Sequence, residues 1–206
     1  MIRVVGTGPG NKKYITPMAL EIIGQAQVLV GGKRQLEAYA LSHHETLEIG
    51  RDLNQVIDFI TAKKDHKNVV VLASGDTGLF SIASILAGVF DESELEFIPG
   101  ISSVQLMLAR LKKPWHNINI FSVHGREAKN LEALVDTKRI NCIVAGGYWT
   151  PQRIAQRLLA RNFADAGIAI GQNLSYPDEK IIYSTLNQVI NDQADYSNSL
   201  MVIFYG

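Results

Sequence analysis

The chain has one cysteine in 206 residues, which leaves it no disulfide framework and no multi-cysteine zinc site. That usage suits a reducing compartment, and we expect a soluble cytoplasmic protein. Long apolar runs are missing too. None approaches the ~18 residues of a membrane span, and the opening Met1-Ile2-Arg3-Val4-Val5-Gly6 lacks the layout of a signal peptide. Net charge is also absent, with 20 Lys and Arg against 20 Asp and Glu. The balance is local: residues 1–113 carry 12 of each sign, and residues 114–206 carry 8 of each. Gripping nucleic acid or an anionic membrane takes an excess of cations, so we expect neither as a partner. What is present is length enough to bury a core in one large or two small domains, and a 47% hydrophobic composition. We expect an α/β protein that binds something small.

The first half alternates β-branched runs with helical patterns. Strands are predicted at Ile2–Val5, Val28–Val30, Val69–Ala73 and Leu95–Ile98. The third is five apolar residues in a row, which leaves no solvent face. Thr16-Pro17 reads as an N-cap followed by proline at the first helical position, opening a helix to Gln25. Further helices are predicted over Asn54–Lys64, Leu79–Phe90 and Ser102–Leu111. Such alternation implies a mainly parallel sheet covered on both faces. Pro114 biases Lys113 away from helical geometry, which sets the expected domains at 1–113 and 114–206. The second half reads as strands at Ile118–Val123, Ile140–Ala145 and Ala166–Ile170, with a helix from Thr150-Pro151 to about Arg161. In the tail, Lys180–Ser184 and Ser199–Tyr205 are expected to pair antiparallel around a short helix near Leu186–Asn191, giving a mixed sheet. Two small domains suggest a cleft between them, a common place for ligands.

Each motif has two readings when taken alone. Gly6-x-Gly8-x-Gly10 follows a strand, but Asn11 stands where a dinucleotide fingerprint needs glycine, and Pro9 occupies its tightest turn. The phosphate-loop pattern fails as well, because Gly32-Lys33 is followed by Arg34 and position 27 is Gln27. The loop is either a strand-ending turn or a place where bare backbone approaches a ligand. Ser74-Gly75-Asp76-Thr77-Gly78 is either a polar site beyond a buried strand or an Asp turn capping a helix at Leu79. Pro99-Gly100-Ile101-Ser102-Ser103 caps the next helix or draws a ligand carboxylate to its N-terminus. No Gly-x-Ser-x-Gly elbow is present, so no serine nucleophile is expected. His124-Gly125-Arg126 ends a strand, where Arg126 suits a carboxylate and His124 a proton, or where both are simply solvated. His43-His44-Glu45 lacks the spacing of a helical zinc motif and reads as a loop. Cys142 reads as a buried small hydrophobe, and Trp115 and Trp149 as packing residues.

Taken together, these segments resemble the tetrapyrrole (corrin/porphyrin) methylase family of S-adenosylmethionine-dependent enzymes. Val5-Gly6-Thr7-Gly8-Pro9-Gly10, Thr16-Pro17-x-Ala19-Leu20, Ser74-Gly75-Asp76 and Pro99-Gly100-Ile101-Ser102-Ser103 stand in that family's order and spacing. The resemblance implies the family's two-domain fold, a tetrapyrrole substrate, S-adenosyl-L-methionine as methyl donor, no protein-bound metal, and a homodimer. Finer segments resemble the branch that methylates C5 of cobalt-precorrin-7 in cobalamin (vitamin B12) biosynthesis. They are Val30-Gly31-Gly32-Lys33-Arg34, Ile101-Ser102-Ser103-Val104-Gln105, Ala109-Arg110-Leu111, Pro114-Trp115, Ser122-Val123-His124-Gly125-Arg126 and Leu174-Ser175-Tyr176-Pro177-Asp178-Glu179-Lys180-Ile181. That branch is the stand-alone counterpart of the N-terminal half of a fused precorrin-6Y C5,15-methyltransferase. At 206 residues the chain is too short for the fused C15 domain, so a separate C15-methylating, decarboxylating partner is expected. Two positions depart from the family pattern: Thr77 replaces a proline, and Gln172 stands near a usual glutamate. Ala145-Gly146-Gly147-Tyr148-Trp149 is also unusual for the family.

The resemblance also assigns roles. Pro9, Ser74, Gly75, Asp76, Leu79, Ser102 and Ser103 would bind the methyl donor from the first domain, and Ala145 and Leu174 from the second. Lys33, Arg34, Arg110 and above all Arg126 would meet substrate carboxylates, and His124 is the one proton-transfer candidate. The alternatives are a methylase of the same fold acting at C11 or C17, and a non-catalytic tetrapyrrole-binding protein.

Overall fold

The computed structural model describes residues 1–123 and 130–205. Contacts divide the chain into two units, Met1–Ser102 and Ser103–Gly206.

In the first unit, β1 (Ile2–Gly6), β2 (Val28–Gly31), β3 (Glu45–Glu48), β4 (Val69–Ala73) and β5 (Leu95–Ile98) form one sheet in the order β3-β2-β4-β1-β5. Every pairing is parallel. The fully buried β4 sits at the centre, as its unbroken apolar run requires. The two-residue period of a strand sends Val69, Val71 and Ala73 to one face and Val70 and Leu72 to the other. Helix α1 (Pro17–Gly24) covers the second face with Ala19 and Ile23. Thr16 caps it, its hydroxyl accepting the Ala19 N–H at 3.1 Å. Helix α2 (Lys33–Tyr39) adds Tyr39 to that face, while α3 (Leu53–Thr61) covers the first face with Val56 and Ile60.

Two expectations are corrected in this unit. The helix expected over Leu79–Phe90 contracts to α4 (Ala83–Leu86), because Phe80 takes a left-handed φ of 50° and breaks the run before it. Glu45 of the His43-His44-Glu45 segment opens β3 rather than lying in a loop, and its carboxylate pairs with Lys63 at 2.6 Å and Lys67 at 2.7 Å.

The second unit runs α5 (Ser103–Arg110), β6 (Ile118–Ser122), α6 (Leu131–Leu134), β7 (Ile140–Val144), α7 (Pro151–Leu159), β8 (Gly167–Gln172), β9 (Lys180–Thr185), α8 (Leu186–Val189) and β10 (Ser199–Phe204). Its sheet is mixed, in the order β6-β7-β10-β8-β9, with only β6 and β7 parallel. The expected pairing of the two tail strands does not form: β8 lies between β9 and β10. Burial explains this, since five of the six β10 residues are buried and need neighbours on both sides. Strand β9 has no fully buried residue and suits an edge.

Helix α5 lies against β10, so contacts group it with the second unit, whereas the expected boundary at residue 113 followed its helix stop. Trp149 packs on the core of this unit. Trp115 does not, being 54% exposed. Cys142 is fully buried in β7, and burial pushes its thiol up to about 12. Among the described residues, no helix is long and apolar enough to cross a membrane.

Candidate functional site

Because β1, β4 and β5 are parallel neighbours, the loops that follow them leave the sheet at one edge. There the three backbones meet. A Cβ on Gly6 would stand 2.7 Å from the Gly100 nitrogen, and one on Gly100 would stand 2.3 Å from the Gly75 oxygen. Only glycine permits that approach. Gly8 and Gly75 exchange backbone hydrogen bonds of 3.1 and 2.9 Å. Both sit at positive φ, 79° and 73°. Thr7 gives its N–H and its hydroxyl to the Ala73 carbonyl, at 2.9 and 3.0 Å.

Asp76 is the clamp between these loops. Its Oδ1 accepts from Gly78 N–H at 2.8 Å and its Oδ2 from Gly100 N–H at 3.0 Å. It makes an Asx turn and a bridge to the next loop, and does not cap a helix at Leu79, one of its two sequence readings. Each oxygen keeps a second acceptor site. Ser74 is exposed, and Leu79 is half-buried with its N–H turned to the Asp76 carbonyl. Ser102 is buried, its Cα 3.5 Å from where a Gly75 Cβ would stand. Pro9 is half-buried between two glycines. The expected first-unit donor residues Pro9, Ser74, Gly75, Asp76, Leu79 and Ser102 therefore lie on this group of loops, while Ser103 opens α5.

Gln35 was not foreseen. Its Oε1 accepts the Gly32 N–H and its Nε2 donates to the Thr7 hydroxyl, both at 3.0 Å, tying α2 to the first glycine loop. Glutamine three residues after an N-cap is a capping-box signal, hidden here because the cap is a glycine. Lys33 and Arg34 are exposed on the first turn of that tethered helix.

In the second unit, the ends of β6, β7 and β8 and the start of β10 share one edge. Val123 N–H reaches the Val144 carbonyl at 3.1 Å, Ala145 N–H the Ser199 carbonyl at 3.2 Å, and Asn173 N–H the Asn198 carbonyl at 3.4 Å. Ala145 and Leu174 are both buried at this edge. Leu174 folds over Gly171, where a Cβ would stand 2.6 Å from Met107 Sδ and 2.9 Å from Leu174 itself. Asn173 and Ser175 take positive φ values of 49° and 76° to make the fold-back.

Glu179 holds that turn. It accepts from Arg110 Nε at 2.7 Å and from Ser175 N–H at 2.6 Å. Its carboxyl is held below the usual range, chiefly by the Arg110 hydrogen bond, against an opposing desolvation. Arg110, expected at substrate carboxylates, thus gives its Nε to Glu179. Ser199 Oγ is buried beside the Ala145 contact and has no hydrogen-bond partner among the described residues. His124 and Arg126 lie outside the described residues. Among the described residues no three His, Cys, Asp or Glu side chains gather as metal ligands. The first edge offers backbone amides, hydroxyls and one carboxylate, groups that hold and orient a polar molecule.

A family profile described as "Tetrapyrrole (Corrin/Porphyrin) Methylases" matches residues 1–190. The chain is 34% identical over 203 residues to the cobalt-precorrin-7 C(5)-methyltransferase of Salmonella typhimurium, spanning 98% of each. Its fold matches the crystal structure of a cobalamin biosynthesis precorrin-6Y methylase from Archaeoglobus fulgidus, with a TM-score of 0.76 at 22% identity, over 100% of this chain and 98% of the other. It also matches a uroporphyrin-III C-methyl transferase from Thermus thermophilus, complexed with S-adenyl homocysteine, with a TM-score of 0.78 at 19% identity, over 98% and 96% of the two chains. With the glycine loops in register and the family profile covering both units, the chain belongs to the tetrapyrrole (corrin/porphyrin) methylases.

Proposed function

We propose that the chain is a methyltransferase of cobalamin biosynthesis that moves a methyl group from S-adenosyl-L-methionine to C5 of cobalt-precorrin-7. The observation that carries this reading is the end-to-end similarity to the Salmonella enzyme of that name. The loop edge of the first unit supports it. Three converging glycine turns packed backbone to backbone, the exposed Ser74 and the free acceptor sites of Asp76 fit a small donor with an amine, a carboxylate and a ribose. The Ser199 hydroxyl, buried and without a partner among the described residues, is a further hydrogen-bonding group.

When bound, S-adenosylmethionine would supply an electrophilic methyl group open to in-line attack by an electron-rich ring carbon, with S-adenosylhomocysteine as the leaving group. The task of the chain is then placement and exclusion of water. Pro9, Ser74, Gly75, Asp76, Leu79, Ser102 and Ser103 would hold the donor, with Ala145 and Leu174 assigned to it by the resemblance. Asp76 keeps the second and third loops in register while it does so. Lys33 and Arg34 offer cations to substrate carboxylates, and Arg126 and His124 keep their proposed roles as carboxylate partner and proton carrier. A cytoplasmic homodimer, with C15 methylation and decarboxylation left to a separate protein, completes the reading.

The test is calorimetry with S-adenosylmethionine, followed by an assay for S-adenosylhomocysteine. Binding, with product formed only when cobalt-precorrin-7 is present, supports the reading. A chain that takes up the macrocycle but gives no heat with the donor is a carrier, and the reading fails.

A further inference from the structure

Among the described residues, every arginine of the second unit but one has a carboxylate partner. Arg110 pairs with Glu179, Arg139 with Asp136, and Arg157 and Arg161 with Glu132. Arg153 has no acidic partner there, yet its side chain is held in place. The guanidinium carbon stands 4.1 Å from the centre of the Tyr148 ring, and Nη1 donates to the Tyr148 carbonyl at 3.0 Å. The Arg153 backbone N–H is capped by Thr150 Oγ1 at 3.4 Å, at the start of α7.

The ring beneath it is fixed as well. Gly146 and Trp149 exchange backbone hydrogen bonds of 3.0 and 3.3 Å across a tight turn with Gly147 at φ 62°. Trp149 is anchored on the core and meets the Tyr148 ring edge-on at 5.3 Å. Tyr148 itself is 68% exposed. This turn directly follows Ala145, at the sheet edge that also carries Leu174.

A guanidinium held over an aromatic ring and hydrogen-bonded to a carbonyl has already lost much of its side-chain freedom, so binding an anion costs it little further ordering. With Nη1 committed to a carbonyl, Nε and Nη2 remain as a side-on fork, the geometry that matches a carboxylate. A tryptophan packed on the core, a glycine turn and an exposed tyrosine together present one cation that has no acidic partner among the described residues, and so make a recognition device.

We propose that Arg153, presented on Tyr148, binds a peripheral carboxylate of the macrocyclic substrate. This rests on the proposed function for the identity of the substrate, though not for the chemistry of recognition.

The test compares wild type with R153Q, R153K and Y148L. R153Q should raise KM for cobalt-precorrin-7 about tenfold or more, with kcat and S-adenosylhomocysteine affinity within about twofold of wild type. R153K should fall between the two, because lysine keeps the charge but not the fork, and Y148L should weaken macrocycle binding by freeing the guanidinium. All three should melt within about 2 °C of wild type, as surface changes do. An R153Q enzyme with an unchanged KM would overturn the inference. Should wild type fail to turn over cobalt-precorrin-7, the proposed function fails, and titration with uroporphyrin III, a polycarboxylated macrocycle, decides for Arg153. Weaker binding by R153Q then supports its role; equal binding, or none by either protein, overturns it.

Discussion

The Asp76 carboxylate accepts the Gly100 N–H at 3.0 Å, joining the loop after β4 to the loop after β5 across 24 residues of chain. The same carboxylate closes its own turn on Gly78. Asp76→Ala removes both acceptors and strands two backbone donors, which should cost about 1–3 kcal/mol of stability. S-adenosylhomocysteine affinity should fall about tenfold or more. Asp76→Asn keeps one acceptor oxygen and should lose less of each. Urea denaturation and calorimetry on both variants check this. Unchanged donor affinity in the alanine variant would separate the clamp from the donor site.

The glycine contacts divide into those that tolerate a side chain and those that do not. Gly100→Ala would drive a Cβ to 2.3 Å from the Gly75 oxygen, against backbone that cannot swing aside. The expected loss is about 1–3 kcal/mol or more, together with donor binding. Gly24, the last residue of α1, has open space around its Cβ position. Gly24→Ala should be neutral or stabilising by about 0.4–1 kcal/mol. Thermal melts of the pair give the contrast.

Glu179 predicts an acid limb in stability. Its folded carboxyl is held below the ordinary value, first by the Arg110 hydrogen bond. Its contribution is therefore fully present above the unfolded glutamate value near ~4.3 and lost as pH falls through the lower folded value. Glu179→Gln should flatten that part of the pH–stability curve and lower Tm at neutral pH by about 2–4 °C. Denaturation midpoints between neutral and strongly acidic pH read it out. A variant curve parallel to wild type throughout would show that the ion pair does not hold the turn.

Cys142 should be silent in the native protein. Its thiol is pushed up to about 12 and has no exposed surface, so at pH 8 it stays protonated and unreachable. Ellman's reagent should detect no thiol in the folded chain and one after guanidinium denaturation. Rapid native labelling would contradict the burial of β7.

Much of this architecture is legible in the residues because the signals are local. The unbroken apolar run of β4 announces a central strand, and the Thr-Pro pairs at Thr16 and Thr150 announce α1 and α7. What escaped has a physical reason. Strand β3 is short, charged and half-exposed, and α2 starts from a glycine cap with no side chain to betray it. The insertion of β10 between β7 and β8 is decided by burial over long sequence distances, not by any neighbouring residue. The loop motifs named the candidate site, but the role of Asp76 depends on Gly100 being beside it, which only the sheet order brings about. Tyr148 and Arg153 are five residues apart, yet nothing in their types says that one lies on the other.

The most direct test of the account is the position of the transferred carbon. Incubating the chain with cobalt-precorrin-7 and S-adenosylmethionine labelled with carbon-13 in its methyl group, then locating the label by NMR, should find it at C5. Label at another ring carbon, or no label in the macrocycle, would contradict it.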